Sequence, residues 1–177
     1  MVTRRQSREW ALQMLAQFDL NPPESVDSAI ADFWNQQTQL ESDALSAEER
    51  GAREIFTSTD PRELSSLATA REFAEVRARG AWKDRDALDS ALEPYLEHWS
   101  LYRLGTVERA VLRLGAWELL NCDDIPTPIV VNEAVDLAKW FSESKSGRFV
   151  NGVMDRFAKA VRAEAKQDAP EKETFTP

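Results

Sequence analysis

The chain has almost no residues for metal or disulfide chemistry. It contains one cysteine, Cys122, and one histidine, His98, in 177 residues. A Cys/His zinc site needs several such ligands and a disulfide needs a second cysteine, so neither is expected. A Cys–His or Ser–His catalytic pair would depend on His98 alone. The single thiol is typical of a reduced, cytoplasmic setting.

Glycine and long apolar runs are also scarce. Six glycines in 177 residues supply few tight turns, which disfavours an all-β sandwich or barrel. No apolar run reaches the roughly 18 residues of a membrane-spanning helix. The first residues, MVTRRQSREW, are not followed by the apolar segment of a secretory signal. The sequence therefore predicts a protein with no membrane association.

Helical patterning is what the chain has in abundance. Apolar residues recur at helical spacing, as Trp10, Met14 and Phe18 do after Ser7, the expected N-cap of the first helix. No strand pattern is found. We predict an all-α fold of about seven helices packed as bundles. The predicted helices cover residues 7–20, 25–37, 68–79, 86–99, 107–120, 127–141 and 148–164.

Two segments lack this patterning. Residues 38–68 are rich in Glu, Asp, Ser and Thr, and they predict a long, partly helical connection with Pro61 inside it. Residues 167–177 predict a disordered C-terminal tail. Within the helices, Phe73 and Val76 are expected to face the core, Gly80 to end its helix, and Gly152 to allow two helices to approach closely.

The net charge of −9 is unevenly distributed along the chain. Residues 1–20 carry three arginines against Glu9 and Asp19, and residues 139–166 carry seven basic residues against three acidic ones. The segment between them, residues 21–138, has a net charge of −12. Because salt screens charges over about 8 Å, a basic patch can bind a phosphate chain although the molecule is an anion. The acidic middle suits a basic protein partner.

Residues 99–155 contain several short motifs in a fixed order. They are Trp99 with Arg103-Leu104, Ala110-Val111-Leu112-Arg113, Glu118-Leu119, Ile125-Pro126, Asn132-Glu133-Ala134, Leu137-Ala138-Lys139 and Phe149-Val150-Asn151-Gly152-Val153. Together with RRQSREWALQML near the N-terminus, they resemble the bacterial transcription antitermination factors of the NusB family. The resemblance covers residues 4–20 and about 86–160.

The resemblance implies two packed three-helix bundles in a single domain of residues 1–166, with 38–68 as a family-variable acidic insertion. It also implies a function without catalysis or cofactor. Factors of this family bind the single-stranded boxA element of nascent RNA together with the small-subunit ribosomal protein that serves as Nus factor E. Other Nus factors and RNA polymerase complete the assembly that supports rRNA transcription. A homodimer that hides the RNA surface stays an open possibility.

The same resemblance assigns candidate RNA-binding residues. They are Arg4, Arg5 and Arg8 in the first helix, and Lys139, Phe141, Lys145 and Arg148 around the loop before the last helix. Arginine suits RNA because its planar guanidinium pairs with phosphate and stacks on unpaired bases. Phe141 offers a further stacking face. The residues alone leave a second interpretation open. In it the cations are solvated surface groups, and Phe141 is the last core residue of its helix.

Two other classes of function are weighed against this one. The helical domain also resembles the N-terminal module of rRNA cytosine methyltransferases, but those enzymes need a downstream domain with a glycine-rich cofactor loop and a catalytic cysteine. The other class is a helical protein-interaction module with weak or lost RNA binding. The small number of arginines near the N-terminus and the acidic middle of the chain favour it. Ala16 is a separate departure from the family pattern, since many relatives have an aromatic residue there that faces the ribosomal protein.

Overall fold

The protein is mostly helical in the residues that the structure, a computed structural model, describes: 2–44, 61–97, 99–142 and 145–167. No strand occurs in these ranges, so the predicted all-α fold is confirmed. The seven α-helices are α1 (Arg4–Leu20), α2 (Val26–Ala44), α3 (Pro61–Lys83), α4 (Arg85–Leu92), α5 (Thr106–Asn121), α6 (Thr127–Phe141) and α7 (Ser146–Gln167). Two short 3-10 helices, Glu93–Tyr95 and Leu101–Arg103, lie between α4 and α5.

The chain divides into two compact units. Unit 1 is Met1–Arg85 and contains α1, α2 and α3; unit 2 is Asp86–Pro177 and contains α5, α6 and α7 with nearly all of α4. Each unit therefore holds three long helices.

The core of unit 1 is built on α1 packed along α3. A stripe of small residues on α3, Ala74, Ala78 and Ala81, is fully buried, which lets a neighbouring helix approach closely. Between α1 and α2 the rings of Trp10 and Trp34 meet edge to face with their centroids 5.2 Å apart. The Trp34 indole also donates a 2.8 Å hydrogen bond to Glu75, which ties α2 to α3.

Several helix limits in unit 1 differ from the prediction. The segment predicted as a connection is helical at both ends, since α2 continues to Ala44 and α3 begins at Pro61. Proline suits a first helical turn because the N–H that it lacks would have no partner there. α3 continues past Gly80, and Val76 is exposed because the alanine stripe occupies the inward face.

Some predictions fall outside the described residues. They concern residues 45–60 of the acidic connection, His98 and residues 168–177 of the tail.

The core of unit 2 is the mutual packing of α5, α6 and α7. The close approach lies at Gly115 in α5, where an added Cβ would lie 2.7 Å from Met154 Cε of α7 and 3.5 Å from Ala134 Cβ of α6. Sequence reasoning placed this approach at Gly152, which is wrong, since a Cβ there would meet nothing within 4 Å. The helix predicted over residues 86–99 ends early, because α4 stops at Leu92 and a 3-10 turn that contains Pro94 follows.

Candidate nucleic-acid interface

The first helix begins earlier than the sequence predicts. Thr3 is its N-cap, and the Thr3 hydroxyl accepts a 3.2 Å hydrogen bond from the backbone N–H of Gln6. Ser7, the predicted cap, instead lies inside the helix and donates its hydroxyl to the Thr3 carbonyl at 3.3 Å. All three candidate arginines near the N-terminus are therefore helical.

These three arginines have different environments. Arg4 is exposed. Arg5 is half-buried, and its Nε lies 3.2 Å from the Glu9 carboxylate. Arg8 is only 3% exposed, and its guanidinium lies 5.4 Å from the centroid of the Phe73 ring. In this conformation Arg8 is a packing residue of unit 1, and its predicted contact with RNA stays a prediction.

The other four candidates belong to unit 2, where α6 ends and α7 begins. Lys139, Lys145 and Arg148 are exposed, whereas Phe141 is half-buried. The Lys139 ammonium lies 3.5 Å from Asp136 one turn earlier on α6. The Lys139 stem runs across the start of α7 at Gly147, where an added Cβ would lie 2.5 Å from Lys139 Cγ.

A carboxylate of α5 holds the turn between α6 and α7 in place. The hydroxyls of Ser142 and Ser146 both donate to Oε1 of Glu108, the Ser146 bond measuring 2.5 Å. Partial burial of Glu108 opposes its ionisation, but the hydrogen bonds from the two serines and from the backbone outweigh this effect and lower the pKa of Glu108. An ionised group of the first turn of α5 thus binds both Ser142, just after α6, and Ser146, the first residue of α7.

An arginine next to Glu108 holds a second segment at the same place. Arg109 donates to the carbonyls of Leu101, Tyr102 and Leu104 at 3.3, 3.4 and 3.2 Å. This network fixes the 3-10 turn before α5 in a conformation that leaves Tyr102 80% exposed. The next residue along, Arg103, is also exposed.

These contacts assemble one end of unit 2, because the start of α5 touches both the 3-10 turn and the α6–α7 turn. We call this end the basic end face. Its exposed residues are Tyr102, Arg103, Lys139, Trp140, Lys145 and Arg148. Four of the six are cations and two are aromatic, a combination that suits phosphate and unpaired bases together.

Sequence reasoning missed Glu108, Tyr102 and Trp140 as residues of this surface. Trp140 could have been found, since it lies outside the apolar stripe of α6 formed by Val131, Ala134 and Ala138. The role of Glu108 had no sequence signal, because its serine partners lie 34 and 38 residues further along the chain.

Unit 1 carries an open groove of about 550 Å³ where α1 ends and α2 begins. Its lining includes the apolar Phe18, Leu20 and Phe33 and the acidic Glu24 and Asp32. An apolar floor with acidic edges suits a basic protein segment.

The residues that the structure describes contain neither a metal-binding cluster nor a membrane-spanning helix. In the described part of the chain, no group of three or more His, Cys, Asp or Glu side chains is placed to hold a metal ion. None of the helices in these ranges has the length and apolar character needed to cross a bilayer.

The fold and this surface define a class: an all-α protein of two helical units, one of which presents a basic and aromatic end. The sequence profile of the NusB family matches residues 5–159. The chain belongs to the NusB family of transcription antitermination proteins.

Individual relatives agree with this assignment. A transcription antitermination protein NusB of Symbiobacterium thermophilum is 32% identical over 167 residues, which is 94% of this chain and 96% of that protein. The solved structure of T. maritima NusB has a TM-score of 0.66 at 30% identity and covers 89% of this chain and 92% of its own. A structure of the antitermination factors NusB and NusE in complex with double-stranded RNA has a TM-score of 0.63 at 27% identity, covering 89% and 96%.

Proposed function

We propose that the protein binds single-stranded, boxA-type RNA together with the ribosomal protein NusE and acts with other Nus factors on RNA polymerase in the cytoplasm. The observation that carries this proposal is the basic end face of unit 2. There four cations are exposed: Arg103 on the 3-10 turn held by Arg109, Lys139 near the end of α6, Lys145 just before α7, and Arg148 in the first turn of α7, which Ser146 ties to Glu108. The solved assembly of NusB and NusE with double-stranded RNA supports the binding of NusE and RNA, and the preference for a single strand is argued from the aromatic side chains below.

Cations that are held in place before RNA binds favour this function. A phosphate chain gains affinity from each lysine or arginine that displaces a counterion, and fixed turns reduce the entropy lost on binding. The proposal favours single-stranded RNA over a duplex, because the aromatic side chains on the end face can stack only on unpaired bases.

The groove of unit 1 supports a basic protein partner. Glu24 and Asp32 border an apolar lining that includes Leu20 and Phe33. Ala16, further back on α1, presents a small side chain where the resemblance leads us to expect an aromatic contact with NusE. We therefore propose that NusE binds with the help of acidic residues more than of a ring at this position.

The direct experiment is a titration of labelled single-stranded boxA-type RNA with the full chain, with and without purified NusE. We expect binding by the chain alone and tighter binding when NusE is present. A duplex of the same sequence serves as the matched control and should bind more weakly. Equal affinity with and without NusE would contradict the joint-binding proposal, and no binding in either case would contradict the RNA function.

A second candidate is a helical protein-interaction module with weak or lost RNA binding. The observation that favours it is the state of the N-terminal arginines, since Arg8 is buried and Arg5 is beside Glu9. It predicts full NusE binding with no measurable RNA affinity in the same titration. Sedimentation of the chain without NusE tests for a homodimer, which would sediment with twice the mass of the monomer.

A further inference from the structure

Three large aromatic side chains on unit 2 are exposed, of which Trp99 is 54% exposed and lies 5.8 Å from the Arg103 guanidinium. The other two are more exposed. Trp140 is 74% exposed in the last turn of α6, and Tyr102 is 80% exposed on the 3-10 turn before α5. Single exposed apolar residues are ordinary on protein surfaces. Two at the same end of one unit, each next in sequence to an exposed cation, form a more specific arrangement.

The contacts of unit 2 place both rings at that end. α5 and α6 run antiparallel, because Gly115 meets Ala134 at their middles while Glu108 meets Ser142 beyond the end of α6. The end of α6, with Trp140, therefore lies beside the start of α5. Arg109 ties the 3-10 turn with Tyr102 to that same start.

The local charge distinguishes between a nucleic acid and a protein as the occupant. Trp140 follows Lys139, and Tyr102 precedes Arg103, all four side chains being exposed. Cations beside exposed rings suit a chain of phosphates and bases, in which the backbone pairs with the cations and the bases stack on the rings. An apolar protein surface would take these cations out of water without adding a charged partner.

We propose that Trp140 and Tyr102 are base-stacking residues, each binding an unpaired base of the RNA whose phosphates contact the basic end face. This inference rests on the proposed RNA function and adds to it the chemistry by which the site selects single-stranded RNA. It assigns Trp140, rather than the half-buried Phe141, as the stacking ring of α6.

The test compares Trp140→Ala and Tyr102→Ala with the full wild-type chain in RNA titrations. Stacking on one base is worth about 1–3 kcal/mol by alanine substitution, so we expect each variant to lose roughly 5- to 150-fold in affinity. Trp140→Phe and Tyr102→Phe should restore most of it, because stacking needs a ring but not its polar atom. The slope of affinity against salt should not change, since no charge is removed.

Ile129→Ala is the matched control, because Ile129 is exposed on the same helix at the opposite end. It should bind RNA like the wild type, and thermal unfolding should show that all variants fold. RNA carrying abasic positions gives a second readout, since the loss caused by Trp140→Ala should disappear when the stacked base is absent.

The outcomes separate this inference from the function on which it rests. Wild-type affinity in both alanine variants, while the wild type binds RNA, would overturn the stacking assignment and leave the RNA function intact. Unchanged RNA binding with weakened NusE binding would show that the rings contact protein, which also overturns it. If the wild type binds no RNA, both proposals are wrong.

Discussion

The Ser146 hydroxyl donates a 2.5 Å hydrogen bond to the carboxylate of Glu108, joining the first turn of α7 to the first turn of α5. Ser142, just after α6, donates to the same oxygen. One carboxylate thus fixes the turn on which Lys145 lies and beside which Lys139 and Arg148 are placed. The basic end face depends on this bond for its shape, although Glu108 itself is acidic.

Replacing Glu108 should therefore loosen the turn without removing a cation. We expect Glu108→Gln to lower the free energy of unfolding by about 1–2 kcal/mol, because hydrogen bonds to a charged acceptor become weaker neutral ones. RNA affinity should fall while its salt slope stays the same. Denaturant unfolding and RNA titration measure the two effects. Ser90→Ala removes an exposed bond to the Asp86 carbonyl and should have little effect on either.

The same carboxylate predicts a dependence of stability on pH. The pKa of Glu108 is lowered from 4.5 in the folded protein, so its contribution is complete above the unfolded value and is lost as the pH falls through the folded value. Unfolding free energies of the wild type and Glu108→Gln should therefore differ at neutral pH and converge below 4.5. If the difference in unfolding free energy between the two proteins stays constant from neutral pH to below 4.5, Glu108 does not stabilise the fold through its ionised form.

A buried ion pair should matter more to stability than an exposed one. Arg113 on α5 makes two 2.7 Å hydrogen bonds to Asp89 on α4, and both side chains are largely buried. Removing one partner leaves a buried charge, so Asp89→Ala should cost about 3–5 kcal/mol of unfolding free energy. The matched control is Asp27→Ala, which breaks the exposed pair with Arg79 and should cost less than about 1 kcal/mol. Equal losses in denaturant unfolding would show that the Arg113 pair is not shielded from water.

The arginines of α1 should separate into structural and surface roles. Arg8→Ala should destabilise the protein by about 1–3 kcal/mol, because Arg8 packs against Phe73 inside unit 1. Arg4→Ala should leave the unfolding free energy unchanged, because Arg4 is exposed. If Arg4 contacts phosphate, that variant should also lose affinity for RNA of any sequence, and the log–log salt slope should fall by about 0.7, the value for one phosphate contact on a single strand. Denaturant unfolding and RNA titration are measured for both variants. If Arg8→Ala is as stable as the wild type, the packing role of Arg8 is wrong.

Local features made much of the fold predictable from sequence. The apolar spacing predicted α6 over its observed span, whereas the helix predicted over 86–99 ends at Leu92, just before the 3-10 turn that contains Pro94. The start of α1 was misplaced because Thr3 and Ser7 are both good caps and only the folded backbone chooses between them. Val76 was misassigned because alanines, which carry little periodic signal, occupy the buried face of α3.

The candidate site was less predictable than the fold. The cations Lys139, Lys145 and Arg148 were identified through the family resemblance, whereas the buried environment of Arg8 depends on the tertiary packing. Glu108 and its two serines are far apart in the sequence, so no spacing connects them. The hydrogen bonds of Glu108 to Ser142 and Ser146 can be identified only in the folded structure, where the start of α5, the end of α6 and the start of α7 lie together.

The most direct test is the salt dependence of RNA binding by the double variant Lys145→Ala/Arg148→Ala, in the presence of NusE. Lys159→Ala, which removes an exposed cation further along α7, is the control. We predict that the double variant loses affinity and that its log–log salt slope falls by about 1.4, the value for two lost phosphate contacts on a single strand. The control should keep the wild-type slope. Wild-type affinity and slope in the double variant would show that RNA does not bind at the basic end face.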